Sequence, residues 1–204
     1  MTLKAALLAI AGSLALTTAA SAATYAVAAG DDLYNTDVGN LDGTSPIAID
    51  VVGLTSLTFS ATGSITLNDT SGSNYNDPDG IGAAPSTSSN SGANGIAGLT
   101  APYAGYLTGA FVGSMLGSTP APLDFTMIGT SFASLSPALQ QAFFIGDGLT
   151  GDGTGSRQVA RIPAGATELV LGISDACGFA GPPSCYYDNS GSYDVTYGLL
   201  PSGQ

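Results

Sequence analysis

Short runs of Val, Ile, Thr, Tyr and Phe, cut at intervals by Gly, Asn, Asp and Pro, recur along the chain after its first 22 residues, and helical spacing of apolar residues is hard to find there. Runs of this kind read as β-strands and their interruptions as turns. The predicted strands cover residues 25–28, 47–51, 56–61, 64–67, 104–112, 125–128, 141–145, 157–162, 168–173 and 192–197. In one of them Leu57, Phe59 and Ala61 alternate with Thr58, Ser60 and Thr62, placing apolar groups on one face and hydroxyls on the other. Many half-buried strands with few helices call for two sheets that hide their apolar faces together. The expected architecture is therefore all-β, a jelly-roll-like antiparallel β-sandwich. One short helix is expected where Ser136 precedes Pro137, because serine caps a helix N-terminus and proline fits its first position. Residues 68–100 are rich in Gly, Ser, Asn and Asp, with Tyr75, Ile81, Ile96 and Leu99 as their large apolar residues. They predict a long polar loop, either a binding lid or a floppy insertion.

Lys4, the apolar run from Ala5 to Leu16 and the small residues Ala20, Ser21 and Ala22 follow the order of a secretory signal peptide. Residues 1–22 are accordingly set apart, and 23–204 are expected to form a single domain. No later stretch reaches the roughly 18 uninterrupted apolar residues of a membrane span. The expected location is secreted, extracellular or at a bacterial cell surface, with no transmembrane segment. In such an oxidising compartment Cys177 and Cys185, the two cysteines of the chain, are expected to form a disulfide; the alternative is a pair of free buried thiols.

Fifteen acidic residues face three basic ones, a formal net charge of −12. Removing Lys4 with the leader takes this from −12 to −13 and leaves Arg157 and Arg161 as the basic residues. No basic surface exists to neutralise phosphates, so nucleic acid is excluded as a partner, whereas cations are favoured. With no histidine, Ser-His-Asp triads, Cys-His dyads and imidazole-held metals are excluded as usually built. The carboxylates of Asp31 and Asp32 are neighbours that point to opposite faces of a strand, so they do not make a glycosidase pair. The chain is not expected to be an enzyme.

Asp175 stands at the mouth of the 168–173 strand. A loop bearing Cys177, Phe179, Pro182, Pro183 and Cys185 follows, and Tyr186, Tyr187, Asp188 and Asn189 lead into the last strand. If the two strands pair as neighbours, Asp175 and the Asp188-Asn189 couple reach the same end of the sandwich. Asp and Asn oxygens with loop carbonyls match the six to eight hard ligands of Ca²⁺, and a 177–185 disulfide would hold the loop between them. The alternative is an ordinary polar hairpin whose Asp and Asn bond the local backbone. Tyr186, Tyr187 and Phe179 could stack on a sugar ring or simply pack. Asp77-Pro78-Asp79-Gly80, with the Asp147 and Asp152 turns, reads as solvated turns, as a second cation site or as a lining of the sugar pocket.

The segment from Pro163 through Asp175, and again from Tyr187 through Asp188, Asn189 and Gly191 to Val195, resembles the C-terminal half of the small bacterial calcium-dependent galactose-binding lectins. It is equally similar to secreted bacterial proteins that carry the same lectin-like domain, often ahead of a Pro-Glu-Pro sorting tail. Ile49 to Gly63, Asn94 to Gly98 and Phe111 to Gly113 are similar to the same group. The resemblance implies a galactose-binding-domain-like fold and a calcium site using the side chains of Asp175, Asp188 and Asn189 with the carbonyls of Cys185 and Leu67. Two vicinal sugar hydroxyls would complete the calcium sphere and bond to Asp175, Asp188 and Asn189, with Tyr186 and Tyr187 as candidate stacking groups. The chain departs from the family in having Asp188 where Asn is usual, a longer interval from Asp175 to Asp188, and no histidine to grip the exocyclic hydroxyl. The expected function is secreted, calcium-dependent carbohydrate binding, with a galactose-type sugar or a bacterial exopolysaccharide as partner and homo-oligomerisation left open. The competing expectation is a surface or matrix structural protein in which calcium is only a staple, or absent.

Overall fold

A computed structural model of the chain describes residues 23–36, 42–67, 75–82, 87–115, 117–151 and 153–199. The expected signal peptide, 1–22, lies outside the described residues, as does Asp152. The strands, in chain order, are β1 (Thr24–Ala28), β2 (Ile47–Asp50), β3 (Ser56–Thr66), β4 (Ser88–Ala93), β5 (Ile96–Ala101), β6 (Leu107–Val112), β7 (Leu123–Asp124), β8 (Ser134–Leu135), β9 (Ala142–Phe144), β10 (Val159–Arg161), β11 (Glu168–Ile173), β12 (Ala180–Gly181) and β13 (Ser190–Leu199). One short helix, α1 (Phe125–Ile128), follows β7. The protein is an all-β sandwich with one helix.

Three sheets stack. The first runs β1-β13-β3-β10-β8, the second β2-β11-β6-β9 and the third β12-β4-β5-β7. The long pairings are antiparallel, whereas β8, β7 and β12 add in parallel as two-residue strands at sheet edges. Parallel partners need a long crossover between them, and here it runs through other strands: β9 between β8 and β10, β6 between β5 and β7, and β5 through β11 between β4 and β12. In β11 the sequence Glu-Leu-Val-Leu-Gly-Ile places Leu169, Leu171 and Ile173 on one face and Val170 and Gly172 on the other, and all five are buried. A strand buried on both faces reads as a nearly continuous apolar run. Leu169, Leu171 and Ile173 join Leu57, Phe59, Ile65, Val27 and Val195 of the first sheet in the main core. The opposite face is covered in part by the third sheet, whose Ile96 and Leu99 are buried.

Three expectations are corrected. Residues 88–100, placed in the long polar loop, form the β4–β5 hairpin together with Ala101. Its two-residue tip, Asn94-Gly95, has both φ angles positive, 49° and 80°, as a tight hairpin needs. Residues 125–128 are helical rather than extended, because the Asp124 side chain caps the turn by accepting from the Thr126 N–H at 2.9 Å. The helix expected after Ser136 does not form: Gln140 takes φ 63° and its N–H donates to the Phe111 carbonyl at 2.7 Å, so the chain turns away.

Candidate functional site

β11 and β13 do not pair; each belongs to a different sheet. The connection from Ser174 to Asn189 crosses from the second sheet to the first, and its two ends nevertheless meet. The Asn189 Nδ2 donates to Asp175 Oδ2 at 3.0 Å and to the Ala29 carbonyl at 3.2 Å. The Cys177–Cys185 disulfide closes the loop with a Cα–Cα distance of 5.2 Å. Thr66 pairs with Ser190, so Leu67 lies one residue beyond that pair at the same end of the first sheet.

The N-terminal segment completes the rim. Leu33 N–H donates to Ile173 O and Ile173 N–H to Asp31 O, at 3.1 and 2.7 Å, laying residues 31–33 against the end of β11. A side chain at Gly172 would collide with that segment, its Cβ falling 2.7 Å from Asp31 O and Leu33 N. Farther along, the Asp42 carboxylate accepts from Cys185 N–H at 2.8 Å and from Tyr186 N–H at 3.5 Å. Gly43 permits this closure, since a Cβ there would sit 2.5 Å from Asp32 Cβ and 3.0 Å from Tyr186 Cγ.

Four carboxylates thus gather, Asp32, Asp42, Asp175 and Asp188, with the Asn189 amide among them. Asp175 is 3% exposed and Asp32 is fully buried. Burial pushes the Asp175 carboxyl up to about 7, the N–H bonds from Asn189 and Ala176 offset part of this, and the charges of Asp188 and Asp42 add to it. Burial likewise pushes Asp32 up to about 6, eased by the Tyr34 N–H and worsened by Asp42. The arginines, Arg157 and Arg161, sit beside and within β10 and neither bonds to this cluster among the described residues. Three oxygens here, Asp188 Oδ1, Asn189 Oδ1 and Asp32 Oδ2, are buried with no hydrogen-bond partner. Unsatisfied buried acceptors are costly, about 1–3 kcal/mol each and more when charged.

Acceptors without donors are what a hard cation requires. Among the described residues no three acidic or cysteine side chains converge tightly enough to hold an ion by themselves. The oxygens that could hold an ion here are the carboxylates of Asp175 and Asp188, the Asn189 amide oxygen and main-chain carbonyls of the loop.

Tyr186 is corrected as a sugar-stacking residue. It is 3% exposed, and its hydroxyl accepts from Asp175 N–H and donates to Ile173 O, both at 3.0 Å, so its ring is part of the floor of the site. Tyr187, 76% exposed, is the aromatic surface at this rim. Asp32 and Asp42 were missed by sequence reasoning, although each lies in a short acidic turn segment. In the second acidic group Asp77 Oδ1 accepts from the N–H of Asp79 and Ile81 and Asp147 from those of Leu149 and Gly153, as turn residues do, whereas Asp79 Oδ1 joins two distant loops by accepting from Asp147 N–H. No protein-family profile matches the chain, and no curated protein or solved structure does.

Proposed function

We propose that the chain is a secreted calcium-binding β-sandwich that recognises carbohydrate at the rim formed by Asp175, Asp188 and Asn189. The observation that carries this reading is the pair of buried, partnerless oxygens, Asp188 Oδ1 and Asn189 Oδ1, beside an Asp175 carboxyl forced up to about 7 by burial and by neighbouring charge. A divalent ion held by Asp175, Asp188, Asn189 and the carbonyls of Cys185 and Leu67 would neutralise that charge and supply vacant positions to sugar hydroxyls. Tyr186 fixes the Asp175 backbone from below, the disulfide limits the loop's freedom, and exposed Tyr187 offers an aromatic face for a sugar ring. The disulfide supports an oxidising, extracellular destination.

Calcium titrated into chelator-treated protein is expected to raise the melting temperature by mass action, about 2.7 kcal/mol at a hundredfold excess over Kd. Asp175→Asn is expected to abolish the rise; persistence of the full rise in that variant removes the site. The near-complete burial of Asp175 favours a second reading, in which the ion is a staple between the sheets and touches no ligand. Calcium-dependent glycan-array binding that is lost in Tyr187→Ala separates the two, since a staple predicts an empty array with the thermal response intact.

A further inference from the structure

Away from the acidic rim, the outer face of the second sheet is only half covered by the β4–β5 hairpin. Beside the hairpin tip lies a cavity of about 370 Å³, within the range that accommodates small ligands. Its floor is apolar. Ala48 and Val170 are cross-strand partners on β2 and β11, Val112 stands beside them on β6, and Ile96 closes the hairpin side. Its polar groups favour one kind of ligand. Asn35 is 7% exposed, its Nδ2 donates to Gly43 O at 2.8 Å, and its Oδ1 is buried with no partner. Glu168 lines the cavity, and its register partner on β2 is the exposed Asp50, whose Oδ1 accepts from Val52 N–H at 2.8 Å. Like charges directly opposite on a sheet repel, and among the described residues no basic side chain lines the cavity.

We propose that this cavity binds an aliphatic ammonium ion, its alkyl body on Ala48, Val112, Val170 and Ile96 and its charged head toward Glu168. An ammonium relieves the carboxylate pair, and the charge of Glu168 meets no cation among the described residues that line the cavity. An anion of the same shape meets the opposite field. The residues that take the ammonium are not those proposed to hold calcium, although Asn35 also props the rim through its bond to Gly43 O.

Ligand-observed NMR on the full chain in EDTA, with hexylammonium, hexanoate and hexanol as probes at pH 7, tests this. Hexylammonium is expected to bind and hexanoate not to. Glu168→Gln is expected to weaken hexylammonium about two- to five-fold, the scale of one exposed charge pair. Ala48→Phe, a substitution at an exposed position that fills the floor, is expected to abolish binding while the melting temperature holds. Equal binding of hexanoate or hexanol, unchanged binding in folded Ala48→Phe, or no binding of hexylammonium at millimolar concentration overturns the proposal.

Discussion

Raising the pH of the calcium-free protein from 5 to 8 should destabilise it. Asp175 and Asp32 have folded-state pKa values of about 7 and about 6, against an ordinary value of 3.8. Over the interval between, the folded state holds protons that the unfolded chain has released, so stability falls as pH rises. The contribution is fully present below about pH 4 and is lost as pH climbs through 6 and 7. From pH 5 upward Asp175 has about two units left to its folded pKa, worth about 2.7 kcal/mol, and Asp32 about one, worth about 1.4 kcal/mol. Together they give about 4 kcal/mol, or a fall of about 8–16 °C for a domain of this size. Thermal melts in EDTA across that range measure it. Calcium should reverse the trend at pH 8, where the carboxylates are already ionised, and help less at pH 5, where protons compete. Asp175→Asn should remove about two-thirds of the slope, its share of the summed shift. A melting temperature that stays level or rises between pH 5 and 8 in EDTA, with Asp175→Asn no different from the parent, would refute the claim that these carboxyls are buried without compensating cations.

Other perturbations address the parts that build the rim. Replacing Cys177 and Cys185 together by serine opens a closure of sequence separation 8 and should cost about 2.5 kcal/mol in chemical denaturation, with weaker calcium stabilisation than the parent. Gly43→Ala drives a methyl onto Asp32 and Tyr186; a loss of about 1–3 kcal/mol is expected, together with faster amide exchange at Cys185 as Asp42 loosens its hold. In Tyr193→Phe the hydroxyl shared by the carbonyls of Asp77, Gly105 and Asn76 disappears, which should cost about 1–3 kcal/mol by equilibrium unfolding without altering the calcium response.

How much of this was legible follows from how far apart the determinants lie in the chain. β3, β11 and β13 were readable because alternation and apolar runs report burial directly, residue by residue. α1 was not: Phe-Thr-Met-Ile has the composition of a strand, and the deciding group is the preceding Asp124, which caps a turn. Ser136-Pro137 carried a true local helix signal that lost to tertiary bonds, since Gln140 is held both by Phe111 and, through Nε2, by Gly95 O at 2.8 Å. β4, Ser-Ser-Asn-Ser-Gly-Ala, has almost no strand propensity; it exists because its buried Ser88 and Asn90 face the interior, with Asn90 Nδ2 donating to Asp175 O at 2.7 Å. The tip signal, Asn94-Gly95, was present in the sequence but submerged in the polar composition around it.

The rim divides the same way. Asp175, Asp188 and Asn189 sit within one loop, and their meeting follows from its two anchored ends and the disulfide, although the loop crosses between sheets instead of joining paired neighbours. Asp42 comes from 143 residues before Cys185, whose N–H it accepts. Asp32 reaches the site because its segment bridges to Ile173. Nothing local to Asp32 or Asp42 encodes those positions; sheet order does. The local loop supplies oxygens at a charge one divalent ion could balance, whereas the two remote carboxylates raise the negative potential beyond it. Removing Asp42 while sparing the loop should therefore relax the charge on Asp175 and Asp32, lower their pKa values and flatten the pH dependence, even though Asp42 does not belong to the proposed calcium ligand set.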